Sequence, residues 1–376
     1  LKVVAQRLRD CVGPTAFLAR LGGDEFAVMQ RDMLAEEAGE LADVIVDALL
    51  APVHINGKDI LAGGSVGVAL APENGTDPAV LMKNAELALY RAKAQGRGCA
   101  RFFEQGMEEV ARVRADLERD LRNALAADAM DVYFQPLVNT RTRKVAGYET
   151  LLRWNRPGHG LVSPAVFISC AEETGIIVPL GEWVIRKAIE EASQWRDDVT
   201  VAINLSPAQM KNPSIIATVV GALAASQLDP SRLEIEITES VLMDETEQNI
   251  RTLHALRELG VKIALDDFGT GYSSLSYLRA FPFDKIKVDQ RFVRDIDTST
   301  ENQAIVRAII SLARDLKMRI TAEGVENEQQ AAILAGLGCT EVQGFLYSRP
   351  MPASELEKKE PPARKAADLL HLRRRA

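Results

Sequence analysis

The sequence predicts an α/β protein built on a TIM-like (β/α)8 barrel, with a smaller α/β region ahead of it. Two observations carry this. From about Met130, apolar strand-like runs alternate with amphipathic helical stretches, and eight such runs fit in about 230 residues, the size of one barrel. The polar residues inside those runs also gather at their C-terminal ends, where a barrel builds its site. A doubly wound open sheet is the alternative that the same alternation allows.

Taken in order, residues 1–105 read as helix, strand, strand, helix. The strands are "AFLARLGGDEFAVM", interrupted by a glycine pair, and "GGSVGVAL", and the closing helix "PAVLMKNAELALYRAKAQG" ends at Gly96 as a C-cap would. Residues 106–125 form a connecting helix: "EEVARVRADLERDLRNALAAD" spaces its apolar residues by three and four among alternating charges. The barrel is expected over 126–356. Its strands read "DVYFQPLV", "KVAGYETLLRW", "VTVAINLS", "RLEIEITES", "VKIALDDF", "DKIKVD", "RITAEGV" and "EVQGFLYS", with helices such as "GEWVIRKAIEEASQW" and "ENQAIVRAIISLARDL" between them. Residues 357–376, a charged tail ending in "LRRRA", read as a solvated terminus.

With 376 residues and 47% apolar content, the chain can fill sizeable cores. A net charge of -8 argues against binding to a nucleic acid polymer or an anionic membrane surface. The four cysteines, Cys11, Cys99, Cys170 and Cys339, form no CxxC pair, so neither a zinc knuckle nor a disulfide framework is indicated, and a reducing cytoplasm fits. No window approaches the ~18 apolar residues of a membrane span and no signal peptide opens the chain. The sequence begins at Leu1 with a helical pattern already under way, so a longer protein, with a sensor or membrane segment ahead of this chain, is expected.

The strand ends carry Gln135; Glu149 and Arg153; Asn204; Glu236 and Glu239; Asp266 and Asp267; Lys287 and Asp289; Glu323; and Gln343. Five carboxylates sharing one barrel mouth repel each other and are costly to desolvate unless cations sit among them. Carboxylates with the Asn204 amide oxygen make a hard-oxygen set suited to Mg2+ or Mn2+, whereas zinc would favour nitrogen or sulfur. The four histidines fall on no strand end. At a strand terminus the adjacent Asp266 and Asp267 can bridge two ions ~3.5–4 Å apart, the spacing of two-metal phosphoester hydrolases. Lys287 and Arg153 add positive charge for a phosphate. Each residue alone has a plainer reading: Asp-Asp before Gly-Thr-Gly also makes turns, Glu149 and Arg153 a surface pair, Lys287 an outward strand residue. Recurrence at one end of seven strands favours the site.

These residues also carry a resemblance. "QPLV", Glu149-Thr150-Leu151 with "LLRW", "NLSP", "EITES", "DDFGTGYSSL", "KVD", "AEGVE" and "QGFLYSRP" resemble, in order and over residues 120–355, the EAL-domain family of cyclic di-GMP phosphodiesterases. Thr150 departs from the middle alanine of the name motif. The resemblance implies a barrel whose first strand runs antiparallel, and hydrolysis of cyclic di-GMP to linear pGpG by a water activated between two metal ions. It implies Glu149, Asn204, Glu236 and Asp266 as metal ligands, Asp267 on the second-ion side, and Lys287 and Glu323 holding the water. Gln343 would be a polar neighbour of that site, Gln135 and Arg153 would contact substrate, and Glu239 and Asp289 would order the loop after "DDF". A homodimer near "DDFGTGYSSL" is expected on the same basis. A non-hydrolytic dinucleotide receptor is the competing function, and no ligand position that such receptors lose is lost here.

The first region, with Gly22-Gly23-Asp24-Glu25-Phe26, "SVGVAL" and "AELALYRAKAQGRGCARFF", resembles the second half of a GGDEF (diguanylate cyclase) domain. The resemblance implies backbone approach to a nucleotide at Gly22 and Gly23, metal binding at Asp24 and Glu25, and GTP as a partner. The family's first half is expected ahead of Leu1, so this region is expected to regulate and not to cyclise. Its inhibitory RxxD position falls on Gly13-Pro14-Thr15-Ala16, so product feedback there is not expected.

Overall fold

The computed structural model describes residues 1–55, 58–60, 63–127, 129–239, 241, 247–269, 278 and 281–358, and the chain divides into two units, Leu1–Leu117 and Glu118–Ala376. The division falls inside one helix, Met107–Ala126. Among the described residues no helix is long and apolar enough to cross a membrane.

The first unit has more elements than its sequence reading. Beyond the helix Lys2–Val12, the hairpin Phe17–Gly22/Glu25–Met29, the strand Val66–Val68 and the helix Pro78–Ala94, it contains a helix Ala35–Leu50, a short hairpin Val53–Ile55/Lys58–Ile60 and a strand Ala100–Phe102. The added long helix buries Ala42, Ile45, Val46 and Leu49, a three-and-four spacing that packs one face on the unit's core. In the hairpin, Gly22 pairs with Glu25 and Gly23 takes φ 48°, a left-handed conformation that glycine adopts without the Cβ penalty. Arg20 closes this turn by donating from Nε to the Gly23 carbonyl at 3.0 Å.

The second unit is the barrel. Its strands are β1 (Met130–Asn139), β2 (Val145–Arg156), β3 (Thr200–Asn204), β4 (Leu233–Thr238), β5 (Lys262–Phe268), β6 (Lys285–Val288), β7 (Arg319–Ala322) and β8 (Glu341–Val342). From β2 to β8 every neighbouring pair is parallel, and β1 closes the ring by pairing antiparallel with both β2 and β8. Closure leaves no strand edge in the ring.

The two-residue alternation of the strands explains which face looks where. Leu233, Ile235 and Ile237 of β4, Ile263 and Leu265 of β5 and Ile286 and Val288 of β6 join one apolar cluster with helix residues such as Leu253, Leu256, Val306 and Ile310. Each such buried side chain contributes about 1.5–3 kcal/mol to stability. The residues between them point inward: Glu234 and Glu236 on β4 make ion pairs with Lys285 and Lys287 on β6, across β5. The barrel interior is therefore filled by two charged layers two residues apart along the strands. The outer helices start at side-chain caps, Ser299 accepting from the Asn302 N–H at 3.1 Å and Asn327 from the Gln330 N–H at 2.9 Å.

Candidate active site

The mouth of the barrel brings together the carboxylates, Asn204, Lys287, Gln135 and Gln343 that the sequence suggested for chemistry, while Arg153 lies three residues beyond the last β2–β3 pair. Glu149 lies mid-way along β2, because β2 runs on past the barrel to pair with Gly160–Val162; its pairing with β3 stops at Thr150. Gln135 is opposite Glu149 and reaches the same rim because β1 runs the other way. Asn204 ends β3 in register with Glu236, and Glu323 follows directly on β7.

Hydrogen bonds fix the acidic cluster from one side. Asn204 donates from Nδ2 to Glu149 Oε1 at 2.7 Å, and Gln343 donates from Nε2 to Glu149 Oε2 at 2.7 Å and to Gln135 Oε1 at 3.1 Å. Gln135 in turn donates to the Ser348 carbonyl at 3.1 Å. Gln343 is held by close backbone contact: a Cβ on the next residue, Gly344, would fall 2.0 Å from the Val325 carbonyl oxygen, so only glycine fits there.

Lys287 is the hub of the site. Its ammonium, 1% exposed, lies 2.7 Å from Glu323, 2.8 Å from Glu236, 3.1 Å from Asp266 and 3.6 Å from Glu149. Burial works against its charge, but these carboxylates outweigh it and raise its pKa well above the ordinary lysine value. Burial pushes Glu149 up too, yet Lys287 and the bonds from Gln343 and Asn204 hold it below the usual carboxylate value. Glu236 goes the other way. Burial, partly offset by Lys287, combines with Glu149 and Asp266 to raise it well above normal. Burial, against the pull of Lys287 and with the charges of Asp266 and Glu149, pushes Glu323 up to about 8.

The adjacent aspartates share the rim through a local break in the strand. The β5–β6 register shifts between Leu265 and Phe268, and Asp267 has φ 53°. A bulge with a left-handed residue turns the second side chain back, so Asp267 joins Asp266 instead of facing the opposite side. Burial, then Asp266 and Asp289, raise Asp267 to about 6. Glu239 Oε1 accepts from the Gly269 N–H at 3.1 Å. Asp289 caps the short helix Gln290–Val293, accepting from the Arg291 N–H at 2.7 Å. Arg153 is half-buried with its guanidinium 5.4 Å over the Tyr133 ring, beside a cleft bounded by Tyr133, Tyr347, Ser348 and Arg349. Residues 270–275 of "DDFGTGYSSL" lie outside the described residues.

Two groups could hold a metal: Glu149, Glu236 and Asp266, and Asp266, Asp267 and Glu323, with oxygens in each group within 4.8 Å of one another. The donor set fits a hard divalent ion. Two further observations agree. Glu236 Oε1 is buried with no hydrogen-bond partner among the described residues. Five carboxylates also face one ammonium, an excess of four negative charges when all are ionised, which two divalent cations would match.

The EAL domain family matches residues 118–350, more than half of the chain. The chain belongs to the EAL-domain family. The GGDEF diguanylate cyclase domain matches residues 1–99 ahead of it. A solved EAL structure described as the PaMucR phosphodiesterase in complex with c-di-GMP is 42% identical, with a TM-score of 0.62, over 64% of this chain and 99% of that one. Among curated relatives, the bifunctional diguanylate cyclase/cyclic di-GMP phosphodiesterase MucR of Pseudomonas aeruginosa is 40% identical over 94% of this chain and 52% of its own length. The cyclic di-GMP phosphodiesterase PdeR of Escherichia coli is 38% identical over 95% and 54%. The chain thus spans about half the length of the curated relatives it matches.

Reading the EAL sequence strand end by strand end misses the second charged layer. Lys285, 1% exposed, lies 2.6 Å from Glu234 and 2.7 Å from Glu341, and Arg319 meets the same two glutamates at 2.8 and 3.1 Å. The signal was there: "LEIEIT" and "KIKV" repeat a charge two residues apart, on one strand face.

Proposed function

We propose that the EAL barrel hydrolyses cyclic di-GMP to linear pGpG with two divalent ions, Mg2+ or Mn2+. The observation that carries this is the gathering of Glu149, Asn204, Glu236, Asp266, Asp267, Lys287 and Glu323 within one barrel mouth. Relatives named as cyclic di-GMP phosphodiesterases, and a structural neighbour described with c-di-GMP bound, support the substrate.

Glu149, Asn204, Glu236 and Asp266 would hold one ion, and Asp267 would face the second. When bound, the ions supply Lewis-acid charge at the phosphate and lower the pKa of a bound water. The chain's own residues do the remaining work. Lys287 and Glu323, 2.7 Å apart, position the attacking water, and the Glu323 carboxyl exchanges its proton: burial raises that carboxyl to about 8 in the ion-free chain, where it keeps its proton at neutral pH, and the positive charge of bound ions would favour the ionised, accepting form. Asn204 and Gln343 hold both oxygens of Glu149, so that carboxylate needs no reorganisation as charge develops. Arg153 offers fork donors to a phosphate and Gln135 a polar wall. Glu239 and Asp289 set the turns flanking the aspartates.

The GGDEF region, residues 1–105, is assigned a regulatory role with GTP as its ligand, and the chain is read as a homodimer contacting near "DDFGTGYSSL", to be tested by sedimentation with activity followed in parallel. The free cysteines fit a reducing cytoplasm. The deciding experiment is hydrolysis of cyclic di-GMP across an Mg2+ and Mn2+ titration. Linear product that rises with metal and disappears in Glu149→Ala is expected. Tight binding without product at every metal concentration would make the barrel a receptor.

A further inference from the structure

The opposite end of the barrel carries a second charged cleft that hydrolysis does not use. It encloses about 460 Å3, within the size range of small-ligand sites, and Arg257, Lys262, Asp284, Leu316, Lys317 and Arg319 help to bound it. Lys262 opens β5 and Arg319 opens β7, each four residues before a mouth carboxylate, Asp266 and Glu323. At the rise of a strand, that places this floor roughly 13 Å from the mouth.

The charges at the floor do not balance. Lys285 and Arg319 together meet Glu234 and Glu341, two cations for two carboxylates, and Arg257 lies 3.6 Å from Asp284. Lys262 and Lys317 remain. Among the described residues neither ammonium has an ion-pair or hydrogen-bond partner, in a chain whose net charge is -8. Lys262 is also half-buried, and burial with the nearby Arg319 and Lys285 disfavours its charge by more than the pull of Glu234 and Asp284 favours it. An anion seated between these groups would remove that cost. The exposed Leu316 side chain adds an apolar wall beside the cations.

We propose that this floor cleft binds a small phosphate-bearing molecule, its phosphate held by Lys262 and Lys317 with the outward edges of Arg257 and Arg319, and its apolar part against Leu316. A phosphate dianion suits the site because it concentrates charge and offers oxygens in several directions to two ammonium groups and two guanidinium forks. A carboxylate side chain brings one charge and would leave one of the two lysines unmatched.

The test uses the full chain in EDTA, so that no metal at the mouth recruits phosphate. Calorimetric titration with pyrophosphate, and with inorganic phosphate as the smaller probe, is expected to show saturable binding at one site. Lys262→Met with Lys317→Met is expected to weaken it by at least about tenfold, the loss of a charge-assisted contact. Hydrolysis of cyclic di-GMP with metal present should be unchanged in that variant, which separates this proposal from the mouth assignment. Should the double variant fail to fold, Lys317→Glu on the exposed rim must still weaken pyrophosphate. Absence of saturable binding, equal affinity in the variants, or binding of an oligoglutamate peptide in preference to pyrophosphate would overturn the proposal.

Discussion

Glu239 Oε1 accepts the Gly269 N–H at 3.1 Å, tying the end of β4 to the turn that follows Asp266 and Asp267. Gly269 has φ 95° and Asp267 φ 53°, so two left-handed positions flank Phe268 and depend on an outside contact to keep their shape. Replacing Glu239 by Ala removes that contact without touching an ion ligand. The expected result is a fall in kcat of about tenfold to a hundredfold, in the range of lost supporting contacts at metal sites, with dinucleotide affinity little changed. Glu239→Gln, which keeps an acceptor oxygen, should recover part of the loss. Steady-state kinetics and calorimetry on the two variants check this, and equal kcat in Glu239→Ala and the parent would refute it.

The raised carboxyls give the ion-free protein a particular pH dependence. Asp267 is raised to about 6 and Glu323 to about 8, whereas in the unfolded chain such groups titrate near 4. Their folded-state values lie above the unfolded ones, so their stabilising contribution is full below about pH 4 and is lost as pH rises through 6 and 8. Glu149 has the opposite sign, but its contribution is lost only in acid, below this window. In EDTA the melting temperature should therefore fall from pH 5 to pH 8, and Glu323→Gln should flatten the upper part of the slope. Added Mn2+ should stabilise more at pH 8 than at pH 5, because binding displaces protons. Melts at four pH values with and without metal test this; a metal-free midpoint that rises over the window would refute it.

Much of the site was legible because a polar residue inside an apolar strand has few structural reasons to be there. Glu149, Asn204, Glu236, Asp266 and Glu323 stand out in their strands, and closure of the ring carries them to one end. Other features depend on distances across the ring. That Lys287 touches four carboxylates from β2, β4, β5 and the end of β7 follows from barrel diameter and side-chain reach, neither of which is written along the chain. The left-handed Asp267 was hidden because strand parity predicts opposite faces for neighbours, and only the bulge reverses it. The floor layer was missed because attention to the last residue of each strand stops short of Glu234 and Lys285. In the first unit, helix Ala35–Leu50 had a clear period and went unread beside the stronger GGDEF turn.

Lys287 gives a third prediction. It is 1% exposed among carboxylates, so Lys287→Met strips the only ammonium from the mouth's acidic cluster among the described residues. Removing one partner of a buried ion pair costs about 3–5 kcal/mol. The metal-free variant should lose stability of that order in urea titrations. Divalent ions should restore much of the stability, since they replace the missing positive charge, but not the turnover, since the group beside Glu323 is gone. Full activity in the metal-loaded variant would remove Lys287 from the chemistry.

The floor pair Lys285 and Glu234 allows a cleaner separation of structure from catalysis. Their charged atoms are 2.6 Å apart and both fully buried, and Glu234 adds to the charge that raises Glu236 in the mouth. Lys285→Met leaves Glu234 and Glu341 to share Arg319, which should cost about 3–5 kcal/mol. Glu234→Gln alone leaves Lys285 with Glu341 and should cost less. Made together, the two substitutions remove one charge of each sign, so the double variant should be more stable than the sum of the single losses by about 1–3 kcal/mol. Because β4 and β6 carry Glu236 and Lys287 two residues further on, the single Lys285 variant should also lower kcat by disturbing the mouth, and the double variant should regain part of it. Strict additivity in urea unfolding would mean that the two residues act independently, and a regained stability without regained kcat would confine the floor to folding.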